Sequence, residues 1–158
     1  MTELEQCFFY LHSGNATTNL NNLGSTLTFS NINIKELLGD LYDKYNKVKI
    51  VLNGFSNFNA TTVSNRFVLI RMTGLDWVNC LEYGTNLTTI ATLGAAQVGS
   101  AGSGTNTQMA SNWGCDFNKP SNSAVNLTIF LHDSISNSIS ASTNYGSSQF
   151  FFSIYGIN

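Results

Sequence analysis

Residues 125–132 (VNLTIFLH) alternate strictly: Val125, Leu127, Ile129 and Leu131 occupy every second position, with Asn126, Thr128, Phe130 and His132 between them. A period of two belongs to a strand, whose successive side chains leave on opposite faces. The pattern recurs along the chain and confines it to β architectures. In Lys47–Asn53 (KVKIVLN), Val48, Ile50 and Leu52 share one face. Thr26–Ile34 (TLTFSNINI) runs first as Leu27 and Phe29, then as Ile32 and Ile34. The one-residue slip between those pairs predicts a bulge. Cys7–His12 (CFFYLH), Leu87–Leu93 and Gln149–Tyr155 (QFFFSIY) read as further strands, and Arg66–Thr73 (RFVLIRMT) is a near-continuous apolar run, as a strand covered on both faces would be. Seven or eight strands parted by Asn, Gly and Ser turns read as an all-β sandwich or barrel. The single proline, Pro120, leaves room for long strands.

One segment departs from this period. Across Asn33–Tyr45, Ile34, Leu37, Leu38, Leu41 and Tyr45 recur at helical spacing, with charges on the opposite side. Asn33 fits an N-cap, and Glu36 stands three residues on as its capping-box partner. The expectation is one short α-helix over about residues 34–45, packed against the sandwich, with Gly39 costing it about 1 kcal/mol. The stretch Gly94–Thr105 (GAAQVGSAGSGT) is low-complexity and reads as a long flexible loop.

At 158 residues the chain reads as a single domain, 1–158, large enough to bury a core without staples. Charged residues make up only 10% of it, against about 25% in ordinary globular proteins. Residues 6–34, 83–115 and 134–158 hold no Asp, Glu, Lys or Arg, whereas Lys35–Lys49 concentrates seven of the sixteen charges. Soluble monomers usually intersperse both signs over their surfaces, and interface cores are depleted of charge. Much of this surface is therefore expected to face other protein, although drift of an AT-rich genome towards Asn codons would give the same skew. A net charge of −2 supplies no footprint for nucleic acid or an anionic membrane. No apolar run is long enough to span a bilayer, and the acidic start lacks the basic region of a secretory signal. Cys7, Cys80 and Cys115 are too few and too widely spaced for a disulfide framework or a metal site, and read as buried free thiols. The sequons at Asn15, Asn59, Asn86 and Asn126 match the roughly four to five expected by chance at this Asn, Ser and Thr content.

Catalytic signals are weak throughout. Gly99–Thr105 lacks the Gly-Lys-Ser/Thr ending of a phosphate-binding loop. His12 and His132 could meet across neighbouring strands, but two histidines without Cys or carboxylate partners make no metal site. Asp76 and Glu82 could be imagined as a hydrolase pair, yet nothing in the sequence brings them together and a turn Asp usually bonds its own backbone. No Ser lies in a Gly-x-Ser-x-Gly elbow. The reading is that the chain is not an enzyme and carries no cofactor or metal. Sugar binding is the stronger rival, because Trp77 and Trp113 both adjoin polar loops. They are candidate glycan or interface contacts, set against the simpler role of aromatic packing.

Asn31–Tyr45 (NINIKELLGDLYDKY) with the KVKIVLN strand, then Phe67–Tyr83 (FVLIRMTGLDWVNCLEY) and the closing Phe150–Ile157 (FFFSIYGI), resembles single jelly-roll minor capsid or penton-type proteins of large DNA viruses. That family spans nucleocytoplasmic large DNA viruses, virophages and polinton-like viruses. The resemblance covers residues 31–83 best, the last dozen residues less well, and residues 84–124 not at all. It implies a single jelly-roll sandwich, a place in the virion, self-association, and a major capsid protein and other minor capsid proteins as partners. It brings no catalytic residues. The alternative on the same fold is a recognition module, a fibre head or lectin-like domain that binds a glycan or host receptor.

Overall fold

A computed structural model describes residues 5–19, 25–58, 68–79, 87–93, 105–108, 114–122, 124–133 and 147–157. In chain order the elements are β1 (Gln6–His12), a one-turn 3-10 helix (Ser13–Asn15), β2 (Thr18–Asn19), β3 (Thr26–Asn33), α1 (Ile34–Leu38), α2 (Leu41–Lys44), β4 (Lys47–Phe58), β5 (Val68–Thr73), β6 (Asp76–Trp77), β7 (Thr88–Leu93), β8 (Thr105–Gln108), β9 (Cys115–Asn118), β10 (Ala124–Asp133) and β11 (Ser147–Ile157). All described pairings are antiparallel. One sheet runs β1-β11-β4-β9-β6, with β8 also on β4, and the other runs β2-β3-β10-β5-β7.

With the two-residue β2 and β6 and the off-path β8 set aside, β1-β11-β4-β9 face β3-β10-β5-β7, and the chain changes sheet at each step between them except from β5 to β7. That order is a jelly roll, the eight-stranded double sheet built from two Greek keys. The core lies between the sheets. Leu27, Phe29, Ile70, Met72, Leu127, Ile129 and Leu131 close it from one side, and Val48, Ile50, Leu52, Phe117, Phe150, Phe152 and Ile154 from the other. The alternation read from residues 125–132 is the one observed: Leu127, Ile129 and Leu131 are buried in the core.

Two bulges shift that alternation. Opposite Val125 and Leu127, β3 carries an extra residue, and the register slips between Ile32 and Phe29 as the sequence predicts. Asn31 sits there at φ 57°, its N–H donated to Asn126 Oδ1 at 3.0 Å. A second slip, opposite Phe151 and Phe152, leaves Asn53 extra on β4, where its amide donates to Ser153 Oγ. The bulge moves the inward phase from Ile50 and Leu52 to Phe55. For that reason the strand legible as Lys47–Asn53 continues to Phe58.

The single helix expected over residues 34–45 is instead two one-turn helices. Gly39 adopts φ 54°, ψ −131° and ends α1, while Tyr45 caps α2. Asn33 is the N-cap as expected, its Oδ1 accepting from the N–H groups of Lys35 and Glu36. The apolar face also holds, with Ile34, Leu38 and Leu41 all buried. Most of the glycine-rich 94–105 stretch lies outside the described residues; its last member, Thr105, opens β8.

Candidate functional site

The corner that carries Trp77 is built from a forced turn. Gly74 has φ 106°, a region L side chains rarely adopt, and a Cβ there would overlap the carbonyl oxygen of Asn126. The chain then pairs β6 with β9, setting Trp77 opposite Phe117 and Asp76 opposite Asn118. The indole meets Phe117 edge-on at 5.7 Å between ring centres, and the half-buried Trp77 packs against the core. Its Nε1 is buried without a hydrogen-bond partner among the described residues. The Asp76 carboxylate accepts from Asn118 Nδ2 at 2.8 Å, and Asn79 Oδ1 accepts from the Asp116 N–H at 2.6 Å. Asp76 therefore anchors the corner rather than bonding its own backbone. Glu82, Cys80 and Trp113 lie outside the described residues.

The two histidines do not lie on neighbouring strands: His12 ends β1 in one sheet, and His132 lies in β10 of the other. His12 Nδ1 accepts from the Gly14 N–H and starts the 3-10 turn. His132 belongs to a cluster the sequence did not announce. Between the core residues Ile70 and Met72, Arg71 points to the outer face of its sheet, yet it is only 2% exposed. Its guanidinium reaches His132 Nδ1 at 2.7 Å and Thr89 Oγ1 at 3.4 Å, and His132 is 7% exposed. A guanidinium only donates, so His132 accepts at Nδ1 as a neutral ring with its proton on Nε2. The one available signal was Arg71 itself, a charge in the middle of an apolar run.

Of the thiols, Cys115 is fully buried and donates towards the Thr89 carbonyl at 3.5 Å. Cys7 is half-buried and donates to the Leu37 carbonyl at 3.4 Å. Burial pushes the Cys7 thiol above its ordinary range, which holds it protonated and weakly nucleophilic. An open cavity of about 370 Å³ lies beside it, between the start of β1 and the helices, crossed by the Lys44–Glu5 ion pair at 2.8 Å. That ion pair raises the Lys44 amine above its usual value. Among the described residues there is no group of three or more His, Cys, Asp or Glu that could hold a metal ion, and no helix long and apolar enough to cross a membrane.

Among the described residues, an exposed aromatic strip lies on the outer face of the first sheet. Phe8 is 67% exposed, Tyr10 46% and Phe151 42%. Tyr10 stands directly opposite Phe151, with ring centres 5.2 Å apart. On the inner face of the same strand, Phe9 stacks on Phe152 at 4.7 Å.

The chain matches no protein-family model and no curated protein. Among solved structures it aligns with a chain described as "nora virus structure" at 8% identity, over 96% of this chain and 55% of that one. The TM-score is 0.27. The chain thus spans about half the length of this neighbour, and an overlap so low carries no weight for fold or function.

Proposed function

We propose that the chain is a structural subunit of a viral shell, a minor capsid or penton-type protein that packs against a major capsid protein, other minor capsid proteins and its own copies. The observation that carries this reading is the jelly-roll order of the sheets joined to a sheet margin without charge. Jelly rolls recur in capsid and lectin domains, and the sequence resemblance over Asn31–Tyr83 favours the first. Residues 6–34 and 134–158 carry aromatic, amide and hydroxyl groups and no Asp, Glu, Lys or Arg, and of these Phe8, Tyr10 and Phe151 are exposed. Such a surface suits contacts that are individually weak and act together in a closed lattice. Its work is mechanical: to hold neighbouring subunits in register without turnover.

Light scattering during size-exclusion chromatography, over a dilution series, tests the reading. A defined closed assembly supports it, and a ring of five would suit a shell vertex. A chain that builds no assembly and instead binds glycans saturably, losing them on Trp77→Ala, belongs to the recognition-module class.

A further inference from the structure

Edge strands are ordinarily guarded by a charge, a proline, a bulge or a covering element, because a bare edge pairs with any strand it meets. Among the described residues β1 lies at the edge of its sheet, and Gln6–His12 contains no Asp, Glu, Lys, Arg or Pro. Its register with β11 is unbroken. It has the composition of a strand from the middle of a sheet: Cys7, Phe9 and Leu11 pack on the core, while Phe8 and Tyr10 crowd the other face beside Phe151. Glu5, the charge that precedes it, is neutralised by Lys44 at 2.8 Å.

The backbone phase is also fixed. The Gly156 N–H donates to the Glu5 carbonyl, which makes Glu5 and Gly156 a hydrogen-bonded pair. Alternation along an antiparallel ladder then bonds Cys7, Phe9 and Leu11 to β11. The N–H and C=O groups of Gln6, Phe8, Tyr10 and His12 turn towards the free edge.

We propose that this edge pairs with β1 of a second copy, antiparallel about a two-fold axis, and joins two sheets into one. Full overlap of the seven residues sets Phe9 against its own counterpart, Phe8 opposite the partner's Tyr10, and Gln6 opposite the partner's His12. Edge-facing positions then meet edge-facing positions, and about eight backbone hydrogen bonds form. On the outer face, Phe151, Tyr10 and the partner's Phe8 fall in one row across three strands, and symmetry repeats the row. A charge-free strip laid against itself meets no like-charge repulsion. The inference stands on β1 alone: a two-fold dimer that builds nothing larger would sustain it while removing the shell reading.

Three samples of the full chain test it by light scattering. The wild type gives a dimer mass that falls towards the monomer only on dilution. Phe8→Lys/Tyr10→Lys places lysines opposite each other twice and gives a monomer, with its circular dichroism and unfolding midpoint retained because both side chains are exposed. Phe8→Glu/Tyr10→Glu is likewise monomeric, and mixing the two variants restores a one-to-one dimer. A wild type that stays monomeric at every concentration overturns the proposal. So does an assembly that survives the double-lysine change, or a mixture of folded variants that remains monomeric.

Discussion

At Gly74 two demands coincide, a positive φ and a neighbouring carbonyl where a side chain would stand. Gly39 meets only the first, since a Cβ there has open space around it. The two glycines therefore separate strain from collision. Gly39→Ala should cost about 1–2 kcal/mol and Gly74→Ala clearly more, about 3–4, as read from urea unfolding midpoints. Equal losses would mean that the Asn126 carbonyl moves aside freely. The Arg71–His132 contact makes a second prediction at this scale. Arg71→Met should lower stability by about 2–4 kcal/mol, and Arg71→Met with His132→Leu should cost less than the two single changes added, because the hydrogen bond the two share is lost in either single variant and is counted twice in their sum. Additive losses in the same unfolding experiment would show that the two side chains act separately. Of these features the sequence announced only Gly39, within a helical spacing, and Arg71, a charge within an apolar run. Arg71 and His132 are 61 positions apart, and only the register of β5 on β10 brings them together. Trp77 was legible as a chemically capable residue, but its edge-on packing against Phe117 depends on a two-residue strand with no pattern of its own.

The elements that could be read were those whose burial repeats. β10, β3 and the first half of β4 announce themselves by alternation, and even the bulge in β3 shows as a slip of one residue. Pattern fails where the repeat is too short or changes phase. β9 has just two inward positions, Cys115 and Phe117, β2 and β6 have two residues each, and β4 changes phase at Asn53. The helical corner fails differently. Ile34, Leu38 and Leu41 reach the core whether or not the hydrogen-bond ladder runs unbroken, so the apolar spacing concealed the break that Gly39 makes. Leu38 is fully buried; Leu38→Asp should cost several kcal/mol and leave an unfolded or aggregated product, while Asn33→Ala should cost only about 1 kcal/mol. Circular dichroism melts of both variants check this, and a well-folded Leu38→Asp would place the packed face elsewhere.

For the molecule as a whole, strand count and turn chemistry gave an all-β sandwich or barrel, but the number of strands does not order them. The jelly-roll order was an expectation from resemblance, and the backbone now supplies it. Scarcity of charge has a consequence for how copies meet: association through the β1 strip should hold from low to molar salt, because screening acts on charges and the strip has none. Light scattering at both extremes checks it; dissociation at high salt would assign the contact to ion pairs instead. The position of β11 matters in time as well as in space. It lies between β1 and β4, setting Gln6 beside Tyr155 and Lys47 beside Ile157. The described strands of the second sheet have all been made once synthesis has passed Asp133, whereas the first sheet still lacks the strand that joins its halves. A growing chain can therefore finish one wall of the sandwich early, but must hold Phe9, Ile50 and Leu52 without their β11 neighbours until residues 147–157 arrive. Closure over so long a stretch is slow. During that interval the unpaired edges and apolar face of the first sheet are the surfaces most open to aggregation.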